Sequence, residues 1–355
     1  MGHPVTLIHG DGIGPEVAEA ARLAIDATGV AIDWHQVDAG TSTVEQHGAS
    51  EAVLTSIRKT KVALKGPTVT PPGTETQSID VALRKQLNLY ANLRPAKSIP
   101  GIPSAFKDVD LIVVRENTEG LYAGIEFERT TREAAEAREF LGRLSGKPIR
   151  EDSSLAVKTI SVLGSQQIVD FAFRHATVTG RKKVTAVHKA NRMKSTDGLF
   201  LEIAREVAKD YPNLEFEDCV ADILCMQLMQ KPERYDVLVM PNLFGDILSD
   251  LCTGMVGGLG ITPSVNIGHE YAVFEAVHGA ALHDAGQNRA NPGGLILSGV
   301  LMLQHLGEIE AAAKLQEALE SVIAAGQYVT YDLAPVGVTP VGTMEMAEAI
   351  AQALH

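Results

Sequence analysis

The sequence predicts an α/β fold built on a largely parallel sheet covered on both faces. Two observations carry that prediction: short, continuous apolar runs recur along the 355 residues, and segments with helical apolar spacing separate them. Strands that are apolar throughout, rather than alternating, are strands buried on both sides. Helix-length intervals between such runs supply the crossovers that parallel pairing needs. Composition agrees, since 45% apolar and 21% charged residues describe an ordinary globular chain with an ample core.

The first run is VTLI (Val5 to Ile8), followed by the turn HGDGIGPE and a helical pattern of Val17, Ala20, Ala21, Ala24 and Ile25. Strand, glycine turn, helix and a later acid, Asp33, together imitate the dinucleotide fingerprint. The spacing argues against it. Gly10, Gly12 and Gly14 fall two and two apart, Pro15 stands where a third glycine should let helix and strand close, and Asp11 would repel a pyrophosphate. Pro15 serves better as a first helical residue, with Glu16 complementing the positive helix end. The expected sheet is therefore not a Rossmann fold.

Further runs are VALK (Val62 to Lys65), DLIVVRE (Asp110 to Glu116), VTAVHK (Val184 to Lys189) and YDVLVMPN (Tyr235 to Asn242). In QSIDVALRKQLNLYANLRP a helix carries Ile79, Leu83 and Leu87 on its apolar side, Asp80 and Arg84 share another face, and Ser78 suits its N-cap. Prolines in PAKSIPGIP (Pro95 to Pro103) and glycines in GMVGGLGITP (Gly254 to Pro263) mark crossings between domains. The charged segment from Glu126 to Pro148 reads as an arm rather than core. GGLILSGVLMLQHLG (Gly293 to Gly307) is short for a membrane span and broken by Gln304 and His305, so a buried helix is expected.

Charge and cysteines exclude several classes. A net charge of -13, with Arg181, Lys182 and Lys183 as the longest basic cluster, disfavours nucleic acid as a partner. Cys219, Cys225 and Cys252 lack metal-type spacing and point to a reducing compartment. No charged leader precedes an apolar run, so the cytoplasm is the expected location and no membrane partner is expected.

Several residue sets have the look of chemistry. In NLFGDILSD, Asp246 and Asp250 sit four apart on a helix that opens after a strand, so both carboxylates face one side. That arrangement suits a hard divalent ion, although acids near a helix start are also favoured by its dipole. Asp222, in CVADILCMQ, lies at the edge of an apolar segment where an unpaired carboxylate would be costly, which adds a third oxygen donor. Lys189 ends an apolar strand, where dehydration would free its proton and make it a general base; the plain alternative is an exposed strand-end lysine. Tyr122, in the loop beyond Arg115, is a plausible proton donor. Arg84, Arg94 and Arg115 suit bidentate capture of carboxylates.

Taken in order, HGDGIGPE, LRKQLNLYANLRP, VVRENTEGLYAGIE, VHKANRMK, NLFGDILSDLCTGMVGGLGITPSVNIG and FEAVHGAALHDAGQNRANPGG resemble the β-decarboxylating dehydrogenases, the family of isocitrate, isopropylmalate and homoisocitrate dehydrogenases. The resemblance covers essentially the whole chain. It implies an isopropylmalate-dehydrogenase-like two-domain fold, with a large domain from 1–98 and 257–355 and a small domain, 99–256, bearing a dimerising arm at about 123–161. It implies active sites shared across a homodimer. Arg84, Arg94 and Arg115, with Ser78 and Asp80, would bind substrate; Tyr122 and Lys189 would be acid and base; Asp222, Asp246 and Asp250 would hold Mg²⁺ or Mn²⁺. Lys189 and Asp222 would enter the site from the partner subunit. The N-terminal glycine turn becomes structural, and the dinucleotide is expected around HGAALHDAGQ, with Thr70, Asn191, His278, Gly279, His283, Asp284, Asn291 and Asp332 as its contacts.

The implied reaction is oxidative decarboxylation of isocitrate to 2-oxoglutarate and carbon dioxide with hydride transfer to NAD. Homoisocitrate or 3-isopropylmalate as substrate, and a non-catalytic regulatory subunit of a hetero-oligomer, are the alternatives. Ser78, small and hydrogen-bonding, favours isocitrate. Asp80 stands where isocitrate dehydrogenases usually carry asparagine, and is expected to turn to Arg84. Where family members that use NADP carry a lysine, a tyrosine and an arginine, this chain has His283, Asp284 and Pro335, and Asp284 would repel a phosphate. NAD is the expected cofactor.

Overall fold

A computed structural model describes residues 2–38, 50–69 and 79–355; Thr70 and Ser78 lie outside the described residues. The main strands are β1 (His3–Ile8), β2 (Ile32–Val37), β3 (Val62–Lys65), β4 (Ala91–Lys97), β5 (Asp110–Glu116), β8 (Lys183–His188), β9 (Glu215–Val220), β10 (Val237–Met240), β11 (Pro263–Ile267) and β12 (Ala272–Ala276). A separate hairpin pairs β6 (Glu126–Phe127) with β7 (Leu155–Ala156). The helices are α1 (Gly14–Asp26), α2 (Glu51–Thr60), α3 (Ile79–Gln86), α4 (Arg132–Ser145), α5 (Val162–Val178), α6 (Thr196–Ala208), α7 (Ala221–Gln230), α8 (Asn242–Val256), α9 (Gly293–His305), α10 (Ile309–Ala325) and α11 (Thr343–Gln352).

The ten main strands form one sheet in the order β2-β1-β3-β12-β11-β4-β5-β10-β8-β9. Pairing is parallel from β2 to β12 and again from β5 to β9, and antiparallel only where β11 joins β12 and β4 and where β4 joins β5. All five predicted runs are strands of this sheet, which is largely parallel as expected. Strand β5 shows why its sequence is continuously apolar. Ile112 and Val114 pack with Ile168 and Phe173 of α5, while Leu111 and Val113 pack with Leu248 and Cys252 of α8. The antiparallel centre was not legible in the same way, because β4 carries Asn92, Arg94 and Pro95 within ANLRPAK and lacks the apolar continuity that marks the others.

The glycine turn before α1 is a packing device. Gly12 has φ +60° and a Cβ there would meet the Ala280 carbonyl oxygen at 1.9 Å, while the Ile13 N–H donates to that same oxygen at 2.9 Å. The turn is filled by the segment HGAALHDAGQ and offers no cradle for a phosphate. Asp11 also faces inward, its carboxylate accepting from the Val69 N–H at 2.9 Å. Helix α9 is buried along most of its length, as its composition foretold, and among the described residues no helix is long and apolar enough to cross a membrane.

Candidate active site

Three arginines converge where β4 and β5 meet the first turns of α8. Arg94 leaves β4 with its Nε bonded to Asn92 Oδ1 at 2.8 Å and its Nη1 to Ser249 Oγ at 2.8 Å and Asp250 Oδ1 at 3.2 Å. Arg115 leaves β5, donates from Nε (3.0 Å) and Nη2 (2.8 Å) to Asn242 Oδ1, and pairs with Asp246. Arg84 projects from α3 and approaches Glu275 at 3.6 Å, with its own Nε buried and lacking a partner among the described residues. Burial and mutual repulsion lower the affinity of two of these guanidiniums, Arg94 and Arg115, for their protons: Arg115 is pushed down to about 10, first by burial and then by Arg94 and Arg84. Arg94 is lowered for the same reasons.

Helix α8 closes the cluster. Asp246 and Asp250 lie on one side of it, as their spacing predicts, the first against Arg115 and the second against Arg94. Burial opposes the charge on Asp246, yet Arg115 and the Tyr122 hydroxyl outweigh it and hold the carboxyl below its ordinary range. Tyr122 donates to Asp246 Oδ2 at 2.7 Å and lies under the Arg115 guanidinium, 5.3 Å from its ring centre. That hydrogen bond, reinforced by burial, raises the phenol, so Tyr122 holds its proton through neutral pH. Gly245 is glycine because a Cβ there would meet Arg115 Cγ at 2.4 Å, which accounts for a weak helix former in the interior of α8.

Behind the arginines lies a buried charge network that sequence reasoning missed. Lys65, at the end of β3, is 2% exposed and pairs with Asp80 and Glu275, each at 2.9 Å. Asn266 donates to Glu275 at 2.7 Å and accepts from Asn92 and Asn117, each at 3.0 Å, so the network continues to Arg94. The expectation that Asp80 turns to Arg84 is corrected here. Among the described residues it pairs with Lys65 and accepts from Thr68 Oγ1 at 3.3 Å, because β3 delivers an unsolvated ammonium beside the start of α3 and Glu275 already serves Arg84. The signal was present: VALK ends an apolar strand in lysine as VTAVHK does, and AVFEA buries an acid in an apolar run.

Lys189 and Asp222 form a second cluster. They pair with each other across the turn after β8 and the first turn of α7, apart from the pocket lined by Arg84, Arg94, Arg115, Tyr122 and Asp246. In one chain Asp222 is exposed over 64% of its side chain, on the solvent side of α7. Lys189 is 26% exposed and paired, not dehydrated. The hydrogen bond from Lys189 lowers Asp222 below its ordinary value. Among the described residues no three His, Cys, Asp or Glu side chains converge as metal ligands, since Asp222 stands away from Asp246 and Asp250. Oxygen donors of this kind suit a hard divalent cation, but one chain brings only two of the three together.

The expected cofactor residues are not all brought together: Asn191 lies in the turn beyond Lys189, and Thr70 is outside the described residues. His278 and Gly279 line a pocket with Lys65, Asp80 and Arg84, and the His278 Nε2 is buried without a partner among the described residues. Burial lowers His278, leaving a neutral imidazole at neutral pH. Asn291 donates to Asp332 at 2.8 Å and accepts from the Gly293 N–H at 2.8 Å. His283 is exposed, and Asn191 is exposed in the turn beyond Lys189. Asp284 is 7% exposed and occupied, with His283 at 3.2 Å and Arg289 at 3.6 Å. Arg289, which no sequence motif singles out, lies 4.3 Å from the Tyr331 ring centre.

Residues 4–350 match the family model described as isocitrate/isopropylmalate dehydrogenase. A regulatory subunit of the mitochondrial NAD isocitrate dehydrogenase from Dictyostelium discoideum is 44% identical over 99% of this chain and 93% of its own length. Catalytic subunit 5 of the mitochondrial NAD isocitrate dehydrogenase from Arabidopsis thaliana is 46% identical over 92% of this chain and 83% of its own. The crystal structure of isocitrate dehydrogenase from Methylococcus capsulatus superposes with a TM-score of 0.89 at 47% identity, covering 99% of both chains.

Proposed function

The chain belongs to the isocitrate/isopropylmalate dehydrogenase family, and from that premise we propose that it is a catalytic, NAD-dependent isocitrate dehydrogenase acting as a homodimer. The observation that carries this reading is the arginine cluster. Arg94 and Arg115 now spend their charge on Asp250 and Asp246. With those carboxylates turned to a divalent cation, the guanidiniums are left uncompensated, which is what a substrate with several carboxylates requires. The regulatory alternative is disfavoured because Tyr122, Lys189 and all three aspartates are in place.

Mg²⁺ or Mn²⁺ would be held by Asp246 and Asp250 together with Asp222 of the partner subunit. When bound, the cation would supply stabilisation of negative charge on the substrate oxygens and NAD would supply the hydride acceptor. The chain's own residues do the rest. Arg84, Arg94 and Arg115 bind and orient the carboxylates. Lys189, reaching in from the neighbouring subunit, takes the hydroxyl proton, and Tyr122, which holds its proton through neutral pH, returns one to carbon after carbon dioxide departs.

The test is a panel with the purified protein, Mg²⁺, NAD or NADP, and isocitrate, homoisocitrate or 3-isopropylmalate. The expected result is fastest turnover of isocitrate with NAD. Faster turnover of 3-isopropylmalate would reassign the substrate, and inactivity with all three acids would favour the regulatory role.

A further inference from the structure

The turn that carries Lys189 rests on a fully buried carboxylate that the proposed chemistry leaves unused. Asp197, in the first turn of α6, is 0% exposed, and its Oδ1 accepts the Lys189 backbone N–H at 2.9 Å. Its Oδ2 accepts from the ammonium of Lys158 and, at 3.2 Å, from Thr196 Oγ1. Lys158 follows β7, where the arm segment returns to the body of the molecule. Its ammonium also lies 3.5 Å from Met193 Sδ and 5.2 Å from the ring centre of Phe244, in the first turn of α8 two residues before Asp246. One ion pair thus joins the arm's return, the Lys189 turn and the helix of Asp246.

A pair of this kind adds little net stability over apolar packing, yet it is stiff, because separating the partners leaves a charge buried and unpaired. Stiffness matters at this turn. The Arg192 and Met193 N–H groups both bond back to the Lys189 carbonyl at 2.9 Å, so Lys189 is held by its turn on one side and by Asp197 on the other. We propose that Asp197 and Lys158 are positioning residues: they fix the backbone from which Lys189 reaches the substrate hydroxyl, and they couple that position to the arm. The inference rests on Lys189 being the base.

Two variants and four readouts test it in the full-length dimer. Lys158→Met removes the arm's hold. Lys158→Met with Asp197→Asn removes it without leaving a buried charge, and keeps an oxygen for the Lys189 amide. Both are expected to lower kcat for isocitrate about tenfold or more while KM stays within about threefold, the pattern of a base misplaced by a fraction of an ångström. The double variant should recover the thermal midpoint without recovering kcat. With isocitrate deuterated at the carbon that loses hydride, the isotope effect on kcat should rise, which a mere loss of folded protein would not cause. Amide hydrogen exchange over residues 189–193 should quicken in Lys158→Met, and this readout needs no activity. Failure of the functional reading would appear separately, as a wild-type chain that oxidises none of the acids. Unchanged exchange, or turnover that falls only with the folded fraction at an unchanged isotope effect, overturns the proposal.

Discussion

Two single residues, Asp80 and Asp284, carry predictions about the proposed selectivity. Asp80 contributes an acid beside a site for anions, and its pairing with Lys65 at 2.9 Å explains how the fold tolerates it. Asp80→Asn leaves Lys65 with Glu275 alone and makes the pocket more positive. KM for isocitrate should fall by about threefold to tenfold, an interaction on the order of 1 kcal/mol between charges near a surface. Steady-state kinetics check this, and an unchanged or higher KM would show that Lys65 has no influence on the bound substrate. Asp284, in the segment proposed for the cofactor, lies 3.6 Å from Arg289. Asp284→Asn releases that guanidinium beside Tyr331, so the NADP to NAD efficiency ratio should rise by about tenfold. A ratio that stays put would mean that Arg289 is out of reach of the ribose phosphate.

At the scale of elements, the junction of β3, β12 and α3 is held by charge as much as by apolar packing. Glu275 is buried, and although burial opposes its ionisation, Lys65 and Arg84 pull it down from an ordinary 4.5 to about 2. A carboxyl depressed by folding contributes stability that is complete above its unfolded value and is lost as pH falls through the folded one. Stability should therefore decline between about pH 4.5 and 2. Glu275→Gln should flatten that part of the profile while costing about 2 kcal/mol or more at pH 7, because Lys65 loses a buried partner. Urea midpoints measured across that range decide the matter. Helix α8 makes the matching prediction for chemistry: Asp246→Asn should stay folded and lose about a hundredfold in kcat, as should Lys189→Met.

For the whole molecule, the separation of Lys189 and Asp222 from the arginine pocket has a direct consequence. If each site takes these two from a neighbouring copy, Lys189→Met and Asp246→Asn chains are complementary: in a mixed dimer one site carries both changes and the other carries neither. Refolding the two variants together at equal amounts should restore roughly a quarter of wild-type activity, since about half the dimers are mixed and each has one intact site. An inactive mixture would place both residues in the same protomer's site.

The sequence by itself determined the sheet's parallel halves, because the cores VAL, LIVV and VLVM of these strands are continuously apolar and only a strand covered on both faces tolerates that. It determined the pairing of Asp246 with Asp250 on one helix face, since helical period alone puts residues four apart together. It singled out the arginines and the lysine by chemical type. Only the tertiary structure decided who neutralises whom. Asp80 belongs to Lys65, Glu275 to Lys65 and Arg84, and Asp284 to Arg289. These partners are contributed by segments distant in sequence, and the choice among several cations depends on which ammonium or guanidinium is left without water once the sheet closes. The antiparallel centre has the same origin. Asn92 and Arg94 make β4 read as a polar connection, and they become interior residues only because Ser264, Asn266 and Ser249 arrive from β11 and α8 to satisfy them.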